Sequence, residues 1–264
     1  MGKEIDALEK YFVNGGHLNY YGSGVNVQSF VNDLNPQNIY IGDAPDFYIK
    51  SDDDVLVIEH FEFDCYKASR KGSEHRQELA RIQRKEDAMK PTEKGVALHE
   101  TIHGESSYEN YICNVTRSFN EHYSHIELYF DNLKNAGIIK DRSKVKVLFF
   151  VEDVSPLGTV VFGEQNNATG LITVSLAQSR EFLDLLRESP LVDYVLACSS
   201  YNNEREIWFI DRSELNAYYE HVIDYSSLQF LSFKPHVISC KIFIPDEVIN
   251  RHDEKEDTGT DEPL

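Results

Sequence analysis

Cysteine is scarce in this chain of 264 residues: Cys65, Cys113, Cys198 and Cys240 are all widely separated. There is no CxxC pair, which disfavours zinc ribbons and thioredoxin chemistry, and four scattered thiols make no disulfide framework. Basic residues are also few. Lys and Arg total 26 against 45 Asp and Glu, a formal net charge of −19. That excess repels polyanions at long range, so the surface as a whole does not bind nucleic acid. No apolar run reaches the roughly 20 residues that span a bilayer, so a membrane is not an expected partner. The start, Met1-Gly2-Lys3-Glu4-Ile5-Asp6, lacks the basic and apolar regions of a secretory signal. Asp6 stands where a myristoylation signal has Ser or Thr. With reduced thiols in apolar surroundings, these absences point to a cytoplasmic protein. A P-loop, a GxSxG elbow, a GxGxxG turn and internal repeats are missing too.

What is present is material for a core. Hydrophobic residues make up 41% of the chain and aromatics 12%, with 15 Tyr and 15 Phe. The spacing of Ile5, Leu8, Tyr11 and Phe12 predicts a helix over residues 3–13. The Gly- and Asn-rich stretch 14–25 reads as a loop. Pro45 to Ile49 reads as a strand, Ser51 to Asp54 as a turn and Val55 to Phe63 as a second strand, together a β-hairpin. Tyr108, Ile112, Val115, Phe119, Tyr123, Ile126, Phe130 and Leu133 recur at helical steps and predict one long amphipathic helix stopped by Gly137. Strands follow at 145–151, 159–162, 171–174, 192–198, 206–210 and 240–244. Helices follow at 178–188 and at 213–222, the latter with Ser213 as N-cap. The expected architecture is a single α/β domain over 1–250, with a central mixed β-sheet flanked by helices, and an acidic disordered tail over 251–264.

The hairpin carries the chemistry. Pro45-Asp46, a turn, then Val57-Ile58-Glu59 in an apolar strand resembles the PD-(D/E)xK nuclease superfamily. The resemblance implies a restriction-endonuclease-like fold in which Asp46 and Glu59, on adjacent strands, hold Mg²⁺ or Mn²⁺ for phosphodiester hydrolysis. A hard cation takes oxygen ligands of this kind, activates water and clamps phosphate. The family's lysine belongs two residues after the glutamate, where this chain has Phe61. Lys67 or Lys71 is the expected substitute base, or else the site is inactive. A local kink in the strand is a third option, bringing Glu62 or His60 into the site, with Glu62 as a further metal ligand. Without a kink, alternation puts Glu59, Phe61 and Phe63 on one face and His60, Glu62 and Asp64 on the other.

Between Cys65 and Lys94 bases outnumber acids by nine to five. A helix is expected over 73–89, and Lys67, Arg70, Lys71 and Arg76 form a local basic island able to meet a nucleic-acid backbone. Elsewhere, His99-Glu100-Thr101-Ile102-His103 fits HExxH, which on a helix puts two histidines on one face for zinc with Glu100 as base. Glu121 is the best third ligand. This alternative resembles the zincin metallopeptidases, but Gly95 and Gly104 leave room for at most about two helical turns around it. Glu152 and Asp153 close a buried strand, where α/β folds often carry functional groups.

Overall fold

The computed structural model describes residues 7, 10–11, 17–27, 30, 39–42, 44–51, 54–69, 72–88, 106–155, 160–165, 168–201, 204–227 and 229–230. In chain order the elements are β1 (His17–Asn19), β2 (Ile39–Ile41), β3 (Phe47–Lys50), β4 (Val55–Phe63), β5 (Ala68–Ser69), β6 (Gly72–Ser73), α1 (Glu74–Ala88), α2 (Tyr108–Tyr123), α3 (Ile126–Asn135), β7 (Val145–Asp153), β8 (Val160–Gln165), β9 (Ala168–Thr173), α4 (Arg180–Arg187), β10 (Tyr194–Tyr201), β11 (Glu204–Asp211), α5 (Leu215–Tyr219) and β12 (Gln229–Phe230). They fall into two compact units, Met1–Ala68 with Glu105–Phe233, and Ser69–Gly104 with Lys234–Leu264.

The first unit is built on a seven-stranded mixed sheet in the order β1-β11-β10-β7-β4-β3-β2. At its centre β4, β7 and β10 run parallel. β3 and β2 continue antiparallel on one side, and β11 antiparallel on the other. This is the α/β mixed sheet expected from the hydrophobic pattern. Parallel strands need covering on both faces, and both are covered. On one face Val57, Phe61, Val147, Phe149 and Val151 pack against Tyr111, Val115 and Phe119 of α2, Phe130 and Leu133 of α3, and Phe182 and Leu186 of α4. On the other, Ile58, Leu148, Phe150 and Leu196 pack against Ala7, Tyr11, Val27 and Phe30. β8, β9 and β12 form a separate three-stranded sheet. In the second unit, Ser73 accepts a hydrogen bond from the Arg76 amide at the start of α1, and Ile82 is buried. Among the described residues no helix is long and apolar enough to cross a membrane.

Several sequence expectations need correcting. The stretch 14–25 is not all loop: β1 lies in it, paired parallel to β11 from His17↔Glu206 to Asn19↔Trp208. A three-residue edge strand with half-exposed side chains leaves no alternation to read. The long helix is two helices, broken at Ser124 and His125. Both halves keep the same apolar periodicity, so the pattern hides the break. The Ser124 hydroxyl donates to the Glu121 carbonyl at 2.7 Å, the kind of local bond that competes with continued helix. The last helix is shortened to α5 and entered through a 3₁₀ turn, Arg212–Glu214, and it is this turn that is capped, by Asp211 rather than Ser213, with the Asp211 carboxylate accepting from the Ser213 amide at 2.8 Å. Cys65 and Cys198 are buried and unbonded, whereas Cys113 is exposed. The strand expected at 240–244 and the tail at 251–264 lie outside the described residues.

Candidate functional site

The β3–β4 ladder sets the site. Its last pair is Phe47↔Ile58, so one further step brings Asp46 opposite Glu59 on the face covered by α2 and α3. The two residues lock together. The Asp46 amide donates to Glu59 Oε2 at 3.3 Å, and the His60 amide donates to Asp46 Oδ2 at 2.9 Å. The turn before Asp46 is tight: the Gly42 amide donates to the Asp46 carbonyl, and a Cβ on Gly42 would lie 2.5 Å from the Pro45 carbonyl oxygen. Only glycine fits that approach. From α3, Asn132 holds the turn by donating to the Ala44 carbonyl at 3.0 Å.

Glu59 is only 6% exposed, yet it is well supplied with donors. Tyr129 of α3 donates its hydroxyl to Oε1 at 2.6 Å, and His122 of α2 meets the same oxygen through Nδ1 at 2.9 Å. Because a carboxylate only accepts, His122 carries its proton on Nδ1, leaving Nε2 on the far side of the ring. That ring stacks on Phe61, with centroids 4.8 Å apart and an interplanar angle of 16°. Burial, together with the Glu59 carboxylate, pushes the Tyr129 hydroxyl far above its ordinary range, so it stays a donor. His122 and Tyr129 are the site residues that sequence reasoning missed. Their only signal is their position seven apart on a predicted helix, which puts them on one face.

The other side of β4 carries a second cluster. Glu152 of β7 receives Lys10 Nζ at 2.7 Å and the Tyr11 hydroxyl at 3.2 Å on Oε1. His60 Nε2 lies 3.4 Å from Glu152 Oε2, near enough to pair in charge but out of line for a hydrogen bond. Burial alone raises the Glu152 carboxyl; His60 and Lys10 more than reverse this and hold it at about 2.

β4 is regular, with no kink. Glu62 therefore stays on the face away from Asp46 and Glu59, in register with Glu152. His60 contributes its amide rather than its ring to Asp46. Lys67 is exposed, beyond the strand end, and is not among the partners of Glu59. Arg76 is exposed in the first turn of α1, whereas Arg70 and Lys71 lie outside the described residues, as do His99, Glu100 and His103. Glu121 is exposed on α2. Among the described residues no group of three or more His, Cys, Asp and Glu side chains is arranged to hold a metal. No protein-family model, curated protein or solved structure matches the chain.

Proposed function

We propose that this is a nuclease-like protein that engages nucleic-acid phosphodiesters through Asp46 and Glu59 with Mg²⁺ or Mn²⁺. The observation that carries the reading is the meeting of these two carboxylate residues across adjacent antiparallel strands. It supports the resemblance to the PD-(D/E)xK superfamily, whose paired acids occupy neighbouring strands in this way. The donor set suits a hard cation held by one or two carboxylates and completed by waters and phosphate. Glu59 accepts three hydrogen bonds out of about four acceptor positions, which leaves one for an ion. A bound divalent cation would supply polarisation of the phosphate and an acidified water. The chain's own residues do the positioning. Tyr129 and the Asp46 amide fix the Glu59 carboxylate, and the His60 amide fixes Asp46. His122, seated on Phe61 and tied to Glu59, takes over the orienting duty that the absent lysine has in the family, in place of Lys67. The basic 67–94 segment is the proposed contact for the nucleic-acid backbone.

A second reading is favoured by the enclosure of Glu59 under Tyr129 and His122: a nuclease-like fold that binds but does not cleave. Thermal melts of wild type and Asp46→Asn with and without Mn²⁺, run beside cleavage of labelled DNA and RNA, decide between them. The expected result is a Mn²⁺-induced rise in Tm for wild type alone. Cleavage, if present, is lost in Asp46→Asn, Glu59→Gln and His122→Ala, with His122→Ala keeping the Mn²⁺ shift. A wild-type shift without cleavage selects the binding reading. Four identical melts sink the metal site.

A further inference from the structure

The end of β7 holds a group that the Asp46–Glu59 site does not use. Asp153 is 6% exposed, and its Oδ1 accepts from the Ser155 amide at 2.9 Å. Among the described residues its Oδ2 has no hydrogen-bond partner, and neither does Ser175 Oγ just after β9, in a residue 7% exposed. Both residues line one small, partly open pocket of about 10 Å³, shared with Tyr111, Cys198, Ser199 and Trp208. Native proteins leave very few buried polar atoms unpaired, and those that protein groups do not reach are met by ordered water.

We propose that this pocket is a hydration site in which a single water molecule bridges Asp153 Oδ2 and Ser175 Oγ. The volume matches about one water, roughly 10–15 Å³ on the same measure. The chemistry matches as well. Water both donates and accepts, so it satisfies a carboxyl oxygen and a hydroxyl in either orientation. A divalent cation needs about six or more oxygens, and the pocket offers Asp153 as its one carboxylate.

The site is also proton-linked. Burial pushes the Asp153 carboxyl up to about 7; the Ser155 hydroxyl and amide oppose that, and Asp64 and Glu152 add to it. The titratable groups around it are Asp64, Cys65 and Tyr66 after β4, Tyr111 of α2, Glu152 on its own strand and Cys198 of β10. The water therefore faces a carboxylic acid below neutral pH and a carboxylate above it. Since the folded state holds this proton more tightly than the unfolded chain, stability falls as pH rises from about 4 to about 7 and then levels off.

A crystal structure of the wild type at a resolution that orders bound waters, paired with melts of wild type and Asp153→Asn from pH 5 to 8, tests this. The expected density is one water peak within hydrogen-bond distance of both atoms. An empty pocket or a cation there overturns the proposal. The expected melts have wild type losing Tm relative to Asp153→Asn between pH 5 and 7. Parallel curves overturn the proton linkage. If Asp153→Asn does not fold, Ser175→Ala takes its place in the crystal, where the peak should weaken or shift; an unchanged peak overturns the bridge.

Discussion

Two buried glutamates on neighbouring strands solve the same problem differently. Glu59 is met by a tyrosine hydroxyl, a ring N–H and a backbone amide. Glu152 is met by the charge of Lys10, with His60 beside it. The second solution predicts a pH dependence. Glu152 titrates near its ordinary 4.5 when unfolded and at about 2 when folded. The unfolded chain therefore takes up the proton first on acidification, and the stability this group contributes above pH 4.5 drains away as pH falls towards 2. Glu152→Gln should flatten the Tm profile between pH 5 and 2; a profile as steep as wild type counts against the ion pair. The pairing of Asp46 with Glu59 was legible in the sequence because Val55 to Ile58 is a continuous apolar run ending at Glu59 and the turn at Ser51 to Asp54 joins it to the strand after Asp46. The Glu59 partners His122 and Tyr129, Asn132 for the Ala44 carbonyl and Lys10 for Glu152 arrive from 63 to 142 residues away in sequence. No local pattern encodes such meetings.

At the level of elements, the strands with continuous apolar runs were the easiest to read. β4 was expected and found at Val55–Phe63, and β7 begins at Val145 as expected. Gly137 was also read correctly as a stop. It has φ +70°, its amide donates to the Lys134 carbonyl, and the Ile138 amide donates to the Leu133 carbonyl. That pair of bonds is the Schellman closure of a helix. Nothing lies within 4 Å of a Cβ at this position, so the cost of a side chain is purely conformational. Gly137→Ala should destabilise the protein by about 1–2 kcal/mol in urea unfolding, and a neutral result would mean that the turn relaxes. The break at Ser124 was illegible because hydrophobic period reports a face, not continuity. In a straight helix, His122 and Tyr129 would be separated by about 10 Å along the axis. The break lets both reach one oxygen of Glu59.

At the scale of the molecule, charge is distributed unevenly. The chain carries −19 overall, while the segment from Cys65 to Lys94 is locally basic. Nucleic-acid binding through that segment should weaken steeply with salt. Lys67→Glu with Arg76→Glu should flatten the slope of log K against log[salt] by about 0.9 for each duplex phosphate that is no longer neutralised. Binding indifferent to salt, or absent, removes the basic segment as an interface. The sheet itself imposes an order of events during synthesis. β1 near the N-terminus pairs with β11, so its partner strand leaves the ribosome about 190 residues later, on the order of 10–40 s at typical translation rates. Through that interval the other six strands can assemble only in part, because β10 and β11 are among the last to emerge. The N-terminal strand waits unpaired, so during birth this edge of the sheet is the one most exposed to capture by another chain.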